Sequence, residues 1–459
     1  MAEVLAISLP MVISHACDTV MVFTDRLFLA RLDPELMNAV MGGGLASFMM
    51  MSFFLGLTGF TTALVAQHLG AKKKGDCGLV LSQALIFSWC AYPVILALRP
   101  GAYWLFSFIG VGKEQLVFQV SYFNILIYGC VISLMRMSLS GFFSGIARTR
   151  IVMFASFAAM ITNIGLDYLL IFGNFGFPRL GIYGAAIATI CGGIVGLIIL
   201  FSAYFSKRNR REYSIGISSF RFDRLLAVKL LRYGAPTGLE MFLNILAFNA
   251  IVMMFHSLGP VMATAATVVF NWDLVSFVPL IGIEIGITSL VGKYMGSGHP
   301  DKAHISVMSG LKLGMGYSAF IFLFFTLSPA LLVNVFRPLQ ENAVFASAFP
   351  VSVFMVRVAS IYVLVEAMLC IFIGALRGAG DTLWAMRMSV ALHWSMVVVL
   401  AVILRFLNLP AQAGWVAMVL FFLVFSGFVF RRYREGKWRK MRMVEPAVPP
   451  EIIPEIGEV

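Results

Sequence analysis

Twelve long apolar runs constrain what this chain can fold into more than any other feature. Each run reaches about 20 residues or more, the length that a helix needs to cross the hydrocarbon core of a bilayer. Hydrophobic residues make up 60% of the 459 residues and charged residues only 12%, far from the balance of a soluble domain. We therefore predict an all-α polytopic membrane protein with twelve transmembrane helices. The runs cover residues 4–31, 40–68, 79–99, 117–146, 151–173, 181–206, 230–258, 261–292, 304–333, 343–374, 383–405 and 410–430.

Lysine and arginine concentrate in every second connection between these runs, for example in AKKKGD at 71–76 and in RRYREGKWRKMR at 431–442. The positive-inside rule then predicts that both termini are cytoplasmic. We expect a multi-pass protein of the cytoplasmic (inner) membrane. The net charge of +12 follows from this topology, with the basic middle loop placed to contact anionic lipid. It does not indicate binding to nucleic acid.

The two halves of the sequence resemble each other at one fixed offset. Six runs, an even number, separate the copies, so the halves should cross the membrane in parallel, as in many two-lobed secondary transporters. We predict a first lobe over 1–206, a basic linker over 207–229, a second lobe over 230–431 and a disordered cytoplasmic tail over 432–459. The pairs that share the offset of 226 residues are Pro10 and Pro236, Pro34 and Pro260, Gly56 and Gly282, Thr62 and Thr288, and Gly70 and Gly296.

Seven carboxylates fall inside the predicted spans, where each costs about 2.5–3.5 kcal/mol at a helix centre. The arginines available within the spans are Arg26, Arg136 and Arg357. Three cations cannot neutralise seven acids by simple pairing, so some carboxyls should be protonated or face a wet cavity. A proton-coupled carrier needs such groups. The seven acids are Asp18, Asp25, Asp167, Glu240, Asp273, Glu284 and Glu366.

Spacing groups the acids of the first half. Asn163 and Asp167 are four residues apart, so their side chains share one helix face; the alternative is a polar pair that only stabilises a helix contact. Asp25 on the first helix could meet Asp167 across a pocket. Asp18 lies two turns before Asp25 and either extends this polar path or pairs with His15.

The second half offers its own candidates for a cation site. Glu366 lies in the middle of its span, and the seventh and eighth spans contribute further oxygen-bearing side chains. Together they could form a site suited to Na⁺ or H⁺. The candidates besides Glu366 are Glu240, Asn244, Asn271 and Asp273.

Several motifs, in this order and at these spacings, resemble those of the multidrug and toxic compound extrusion (MATE) family. TDRLFLARL at 24–32 is similar to the end of the family's first helix, and NIGLDYLLIFG at 163–173 to its fifth-helix motif. GIYGAAIATI at 181–190 resembles the start of the sixth helix, including Thr189. SLVGKYMGSG at 289–298 and GALRGAGDT at 374–382 resemble signatures of the second lobe.

The resemblance implies a V-shaped pair of six-helix lobes that exports organic cations and other amphiphiles in exchange for H⁺ or Na⁺. It implies a cation-coupling and substrate-binding site at Asp25, Asn163 and Asp167, with Thr189 beside it. Two departures are evident: Asn244 stands where one branch has glutamate, and Arg26 stands where threonine is usual.

We therefore expect a secondary active antiporter whose transport can be measured with a dye such as ethidium. It should need no cofactor beyond its coupling ion and should work as a monomer. A lipid-linked glycan flippase of the same superfamily is the alternative function; such relatives tend to have cationic cavities, whereas acids predominate in these spans. An enzyme is disfavoured because the sequence has no HExxH motif and no plausible Ser–His–Asp arrangement. No fixed metal site is expected, although Na⁺ could bind at Glu366.

Overall fold

The structure is a computed structural model and describes residues 1–32, 34–109, 113–216, 220–338, 343–407 and 409–445. Within these ranges the regular structure is entirely helical. Eleven helices are long and apolar enough to cross a membrane, and a bent pair supplies a twelfth span. The predicted fold class is therefore confirmed. The helices are α1 (Ala2–Leu32), α2 (Pro34–Gly59), α3 (Thr61–Gly70), α4 (Lys74–Ile109), α5 (Lys113–Tyr128), α6 (Cys130–Gly145), α7 (Thr149–Phe172), α8 (Ile182–Tyr204), α9 (Lys207–Glu212), α10 (Arg224–His256), α11 (Pro260–Gly296), α12 (Pro300–Leu327), α13 (Pro329–Asn334), α14 (Ala343–Ala379), α15 (Thr382–Ala401) and α16 (Ala411–Arg434).

The fourth predicted span is broken rather than straight. It bends by 48° between Gln115–Tyr128 and Cys130–Gly145, at Gly129. A Cβ atom at Gly129 would lie only 2.7 Å from the side chain of Ile190 on α8. Glycine therefore allows α8 to approach the break, and its weak helix propensity makes the bend easier to form.

The two lobes meet around an internal pseudo-two-fold axis. A Cβ on Gly70 would overlap the carbonyl oxygen of Lys293, and a Cβ on Gly296 would overlap that of Gln67. These two contacts are related by the sequence offset of 226, because Gln67 and Lys293 are themselves equivalent positions. The repeat read from the sequence thus corresponds to a real symmetry of packing, with glycines where the lobes approach most closely.

The lobes touch at one end of the molecule and separate towards the other. We call the contacting end the basic end; α3, α6, α8, α11, α14 and α16 all finish there, next to the Lys/Arg-rich connections. The two apolar cores at this end mix residues of both lobes: Met11 and Leu230 both belong to one core, and Ile7 and Leu290 both belong to the other. The cores nearest the opposite end each contain residues of a single lobe.

The connection between the lobes is anchored at the basic end by ion pairs. Glu212 on α9 lies 3.1 Å from Lys74 and 2.5 Å from Arg148. The hydrogen bond from Lys74, with the charge of Arg148 nearby, holds the pKa of Glu212 below its usual value.

The segment after α16 differs from the disordered tail that we expected. Trp438, Met443 and Val444 are almost completely buried, because these apolar side chains find partners on both lobes. The rest of the predicted tail, residues 446–459, lies outside the described residues.

Candidate functional site

A buried polar cluster in the first lobe contains four of the residues singled out from the sequence. The Asp25 carboxylate is 4% exposed. Asn163 donates a hydrogen bond from Nδ2 to one of its oxygens at 3.1 Å, and the Thr189 hydroxyl donates to the other at 3.0 Å. Asp25 is therefore held from two sides by neutral donors.

Asp167 lies beside Asp25 in the same cluster. It is fully buried, and its carboxyl is within hydrogen-bonding reach of the Asp25 carboxyl. Among the residues that the structure describes, no other donor reaches either Asp167 oxygen. Two carboxylates this close repel each other when both are ionised, so the pair is suited to sharing a proton or a small monovalent cation.

Helix packing explains why these four residues meet. Asn163 and Asp167 lie one turn apart on α7, and α7 packs against both α1 and α8. Gly192 on α8 permits the close approach, because a Cβ there would lie 2.8 Å from the Ala159 carbonyl oxygen of α7. Asp25 on α1 and Thr189 on α8 are thereby brought to the same level.

Tyr122 and Arg26 belong to the neighbourhood of this cluster, and our sequence analysis assigned neither a role there. The Tyr122 side chain is buried and its hydroxyl lies close to the Thr189 hydroxyl. Arg26 lies close to Tyr122 and Asp25, and its Nε is buried without a hydrogen-bond partner among the described residues. The sequence offered a signal for Arg26, because arginine is unusual at the position after Asp25. It offered no signal for Tyr122.

Asp18 does not join the cluster as we expected. Its carboxylate accepts a hydrogen bond from the Arg136 guanidinium of α6 at 3.0 Å. Arg136, rather than His15, is therefore its main partner. Arg136 on α6 lies at the depth of Asp18 and supplies a charged donor, and this explains why Asp18 pairs with it.

The second lobe contains another acid pair, for which the described residues supply no Lys or Arg partner. Tyr362 donates a hydrogen bond to Asp273, and Glu366 lies one turn further along the same helix, close enough to Asp273 for their charges to interact. Glu366 is 7% exposed, and its Oε2 has no hydrogen-bond partner among the described residues. Asp273 and Glu366 thus form a second carboxyl pair, with tyrosine as the hydrogen-bond donor.

The other second-lobe candidates lie elsewhere, which corrects the single site that we predicted. Glu240 lies 3.1 Å from the Arg377 guanidinium, and Glu284 lies 2.5 Å from it. Asn244 donates to the Ser389 hydroxyl at 2.8 Å. Asn271 is exposed and bonds the Thr267 carbonyl of its own helix. Arg377 falls between the predicted spans 343–374 and 383–405, yet its side chain reaches back into the lobe.

Ion pairing therefore sorts the seven acids by partner. Asp18, Glu240 and Glu284 are paired with arginine, whereas Asp25, Asp167, Asp273 and Glu366 have no Lys or Arg within 4.0 Å in the described part of the chain. Each lobe keeps one unneutralised pair. Within the described ranges, no group of three or more His, Cys, Asp or Glu residues could hold a metal ion.

The sequence matches the family model described as MatE in two segments, residues 10–169 and 236–403. These segments cover well over half of the chain. Their starting points are 226 residues apart, the same offset that relates the glycine contacts between the lobes.

Curated relatives are similar over most of their length. A probable multidrug resistance protein NorM from Thermotoga maritima is 24% identical over 95% of this chain and 93% of the relative. A protein of the same name from Bacillus cereus is 27% identical over 80% of each chain.

Solved structures share the fold at low sequence identity. A MOP superfamily transporter from Pyrococcus furiosus, described by a binding pocket of reverse polarity, superposes with a TM-score of 0.87 at 19% identity and covers 96% of both chains. An outward-facing multidrug resistance MATE family transporter gives 0.86 at 20% identity, again covering 96% of both chains. From the family match over both halves, the chain belongs to the MatE family, whose members are membrane transporters and not enzymes.

Proposed function

We propose that this chain is a multidrug exporter that exchanges cationic or amphiphilic organic compounds for protons. The observation that carries the proposal is the buried Asp25–Asp167 pair, which no described Lys or Arg neutralises by an ion pair. The names of the curated relatives support export of several drugs. The coupling ion is our own inference from the geometry.

The charge of the cluster suggests how coupling works. With Asp25 and Asp167 ionised and Arg26 beside them, the local charge is −1. One proton or one monovalent organic cation cancels it, and binding of either weakens binding of the other. Protonation from the outside then releases the cargo, and loss of the proton to the cytoplasm restores a site that attracts the next cation.

Flexible apolar side chains could accommodate the apolar part of the transported compound. Met50, Met51 and Met137 of the first lobe and Met241 of the second are partly buried around one apolar core at the lobe boundary. Methionine has a flexible and polarisable side chain that fits ligands of different shape. Such a surface favours amphiphiles over a single small ion.

Alternating access gives the exchange its direction. The lobes separate away from the basic end, and the positive-inside rule assigns the basic end to the cytoplasm. On this assignment the arrangement is open to the outside, both termini are cytoplasmic and the protein resides in the inner membrane as a monomer. Rocking of the lobes about their interface would expose the cluster to the other side.

Sodium coupling is the second candidate, because Asp273, Glu366 and Tyr362 offer hard oxygen ligands in the second lobe. Purified protein in proteoliposomes should be tested for ethidium exchange with a pH gradient and a Na⁺ gradient imposed separately. We expect exchange with the pH gradient and loss of at least about tenfold in Asp25→Asn and Asp167→Asn, because neither variant can form the shared-proton pair.

Asp18→Asn is the matched control, since it removes an acid of the same helix that lies outside the cluster; it should retain proton coupling. Exchange that follows only the Na⁺ gradient and disappears in Glu366→Gln would move the coupling site to the second lobe. Transfer of a fluorescent lipid-linked glycan without any dye movement would instead favour the flippase, and would contradict our proposal.

A further inference from the structure

The segment 435–445, which we call the clasp, begins on the second lobe. Trp438 stacks on Tyr433 with ring centroids 5.1 Å apart, and its indole N–H donates to the Tyr433 carbonyl at 3.0 Å. Arg439 lies 3.2 Å from Asp301 at the start of α12. These contacts fix the first half of the clasp to the lobe from which it emerges.

The second half of the clasp binds the first lobe. Met443 and Val444 are buried in the apolar core formed around Leu64. The Met443 backbone N–H donates to the Gln67 side-chain oxygen at 2.9 Å, and Gln67 Nε2 donates to the Gly378 carbonyl at 2.9 Å. Gln67 belongs to the first lobe, yet these side-chain hydrogen bonds all go to the clasp or the second lobe.

The position equivalent to Gln67 in the second lobe contacts a segment of the first lobe. Lys293, 226 residues after Gln67, donates to Glu3 at the start of α1 at 2.9 Å, and the Tyr294 hydroxyl donates to the same carboxylate at 2.6 Å. Each lobe therefore presents the end of its second span to a segment from the other lobe. The Gln67 contact is buried, whereas the Glu3 contact is partly exposed.

We infer that the clasp is a latch that holds the basic end closed and releases Gln67 before that end can open. Gln67 lies at the pseudo-two-fold axis, where Gly296 of the other lobe packs against its backbone. Lobes that separate there must break the hydrogen bonds that join Gln67 to Met443 and to Gly378. They must also expose the Met443 and Val444 side chains. The clasp thus biases the equilibrium between the two access states. This inference rests on the alternating access proposed above.

Spin labels on the basic end of each lobe can measure the bias directly. Exposed Arg150 and Lys302 are replaced by cysteine in a background with the accessible Cys90 and Cys191 changed to serine. Distances between the labels are measured by pulsed electron resonance in nanodiscs, at high and low pH and with and without ethidium. A longer distance reports the state in which the basic end is open.

The variant Met443→Ala/Val444→Ala removes the buried side chains of the clasp. Met441→Ala/Arg442→Ala is the matched control, because both residues belong to the clasp but are exposed or only partly buried. We expect the long-distance population to rise at least about fivefold in the first variant, because the closed state loses the burial of two apolar side chains. The control should match the unmodified chain, and Glu3→Gln should give a smaller rise because its ion pair is exposed.

The outcomes separate this inference from the function on which it rests. If the unmodified chain switches between two distances but the Met443→Ala/Val444→Ala variant switches identically, the clasp is not a latch although alternating access stands. If the unmodified chain keeps one distance under every condition, alternating access itself is contradicted. If the double variant does not fold, Val444→Ala alone, which removes one buried side chain of the clasp, keeps the test decisive: it should still raise the long-distance population, and an unchanged population would contradict the latch.

Discussion

Single residues decide which buried charges are available for transport chemistry. Burial does not distinguish them, because Glu240 in an ion pair and Asp25 without one are both almost completely buried. The difference is a guanidinium within reach: Arg377 serves Glu240 and Glu284, and Arg136 serves Asp18. A buried carboxylate paired with arginine already has its counter-charge, whereas an unpaired one is available to a proton or a cation.

Arg26 should set the number of charges that the first-lobe cluster accepts. It lies close to Asp25 and Tyr122, so the unprotonated cluster carries −1 and one proton neutralises it. Exchange of one proton for one monovalent cation then moves no net charge. We expect dye exchange by the unmodified chain to be insensitive to an imposed membrane potential.

In Arg26→Thr the unprotonated cluster carries −2 and binds two positive charges. Exchange of a monovalent dye for two protons is electrogenic, so its rate should depend on a valinomycin-imposed potential, and the ratio of protons to dye should rise from about one to about two. Arg357→Thr is the control, because Arg357 is exposed and lies outside the cluster. If Arg26→Thr left the ratio of protons to dye unchanged, Arg26 would not contribute to the charge of the site.

At the scale of helices, the break between α5 and α6 positions the sixth span. Ile190 follows Thr189 directly on α8 and fills the space that a Cβ at Gly129 would need. Whatever displaces Ile190 therefore also disturbs the hydroxyl that donates to Asp25. The contact at the bend and the hydrogen bond to Asp25 thus involve adjacent residues of α8.

We expect Gly129→Ala to destabilise the protein by about 1–3 kcal/mol through overpacking against Ile190 and to slow dye exchange. Gly129→Ala/Ile190→Ala should recover much of both losses, because the second change makes room for the added methyl group. Thermal unfolding in detergent and proteoliposome exchange measure the two effects. Equal losses in the single and double variants would exclude this contact as the cause. Ile190→Ala alone completes the double-mutant cycle.

The sequence was sufficient for features that depend on spacing along one helix. Run lengths predicted twelve spans, and the i, i+4 spacing placed Asn163 and Asp167 on one face. Contacts between helices depend on depth and rotation, which spacing does not determine. Arg377 therefore fell outside the predicted spans although its side chain reaches Glu284. Glu240 and Asn244 were predicted to join Glu366 although they bond elsewhere. The apolar residues of the clasp were hidden in a segment rich in proline and charge.

Across the whole molecule, the two halves share a packing symmetry but not their chemistry. The glycine contacts at the basic end obey the 226-residue offset. The acid pairs do not, since Asp25 and Asp167 draw on α1 and α7 whereas Asp273 and Glu366 draw on α11 and α14. The two halves thus meet through equivalent contacts at the basic end but carry their acid pairs on helices that are not equivalent.

Symmetry predicts that equivalent glycines are equally intolerant of substitution. In Gly70→Ala the new Cβ would overlap the Lys293 carbonyl, and in Gly296→Ala it would overlap the Gln67 carbonyl. Both obstacles are backbone atoms and cannot rotate away, so the lobes must separate at the basic end. Each variant should show a longer Arg150–Lys302 label distance and a lowered unfolding temperature. Gly316→Ala is the control, because nothing lies within 4 Å of its added Cβ. If Gly70→Ala opened the basic end while Gly296→Ala behaved like the control, the two-fold axis would not govern how the lobes meet, and the matching offsets of the sequence would reflect ancestry rather than the present packing.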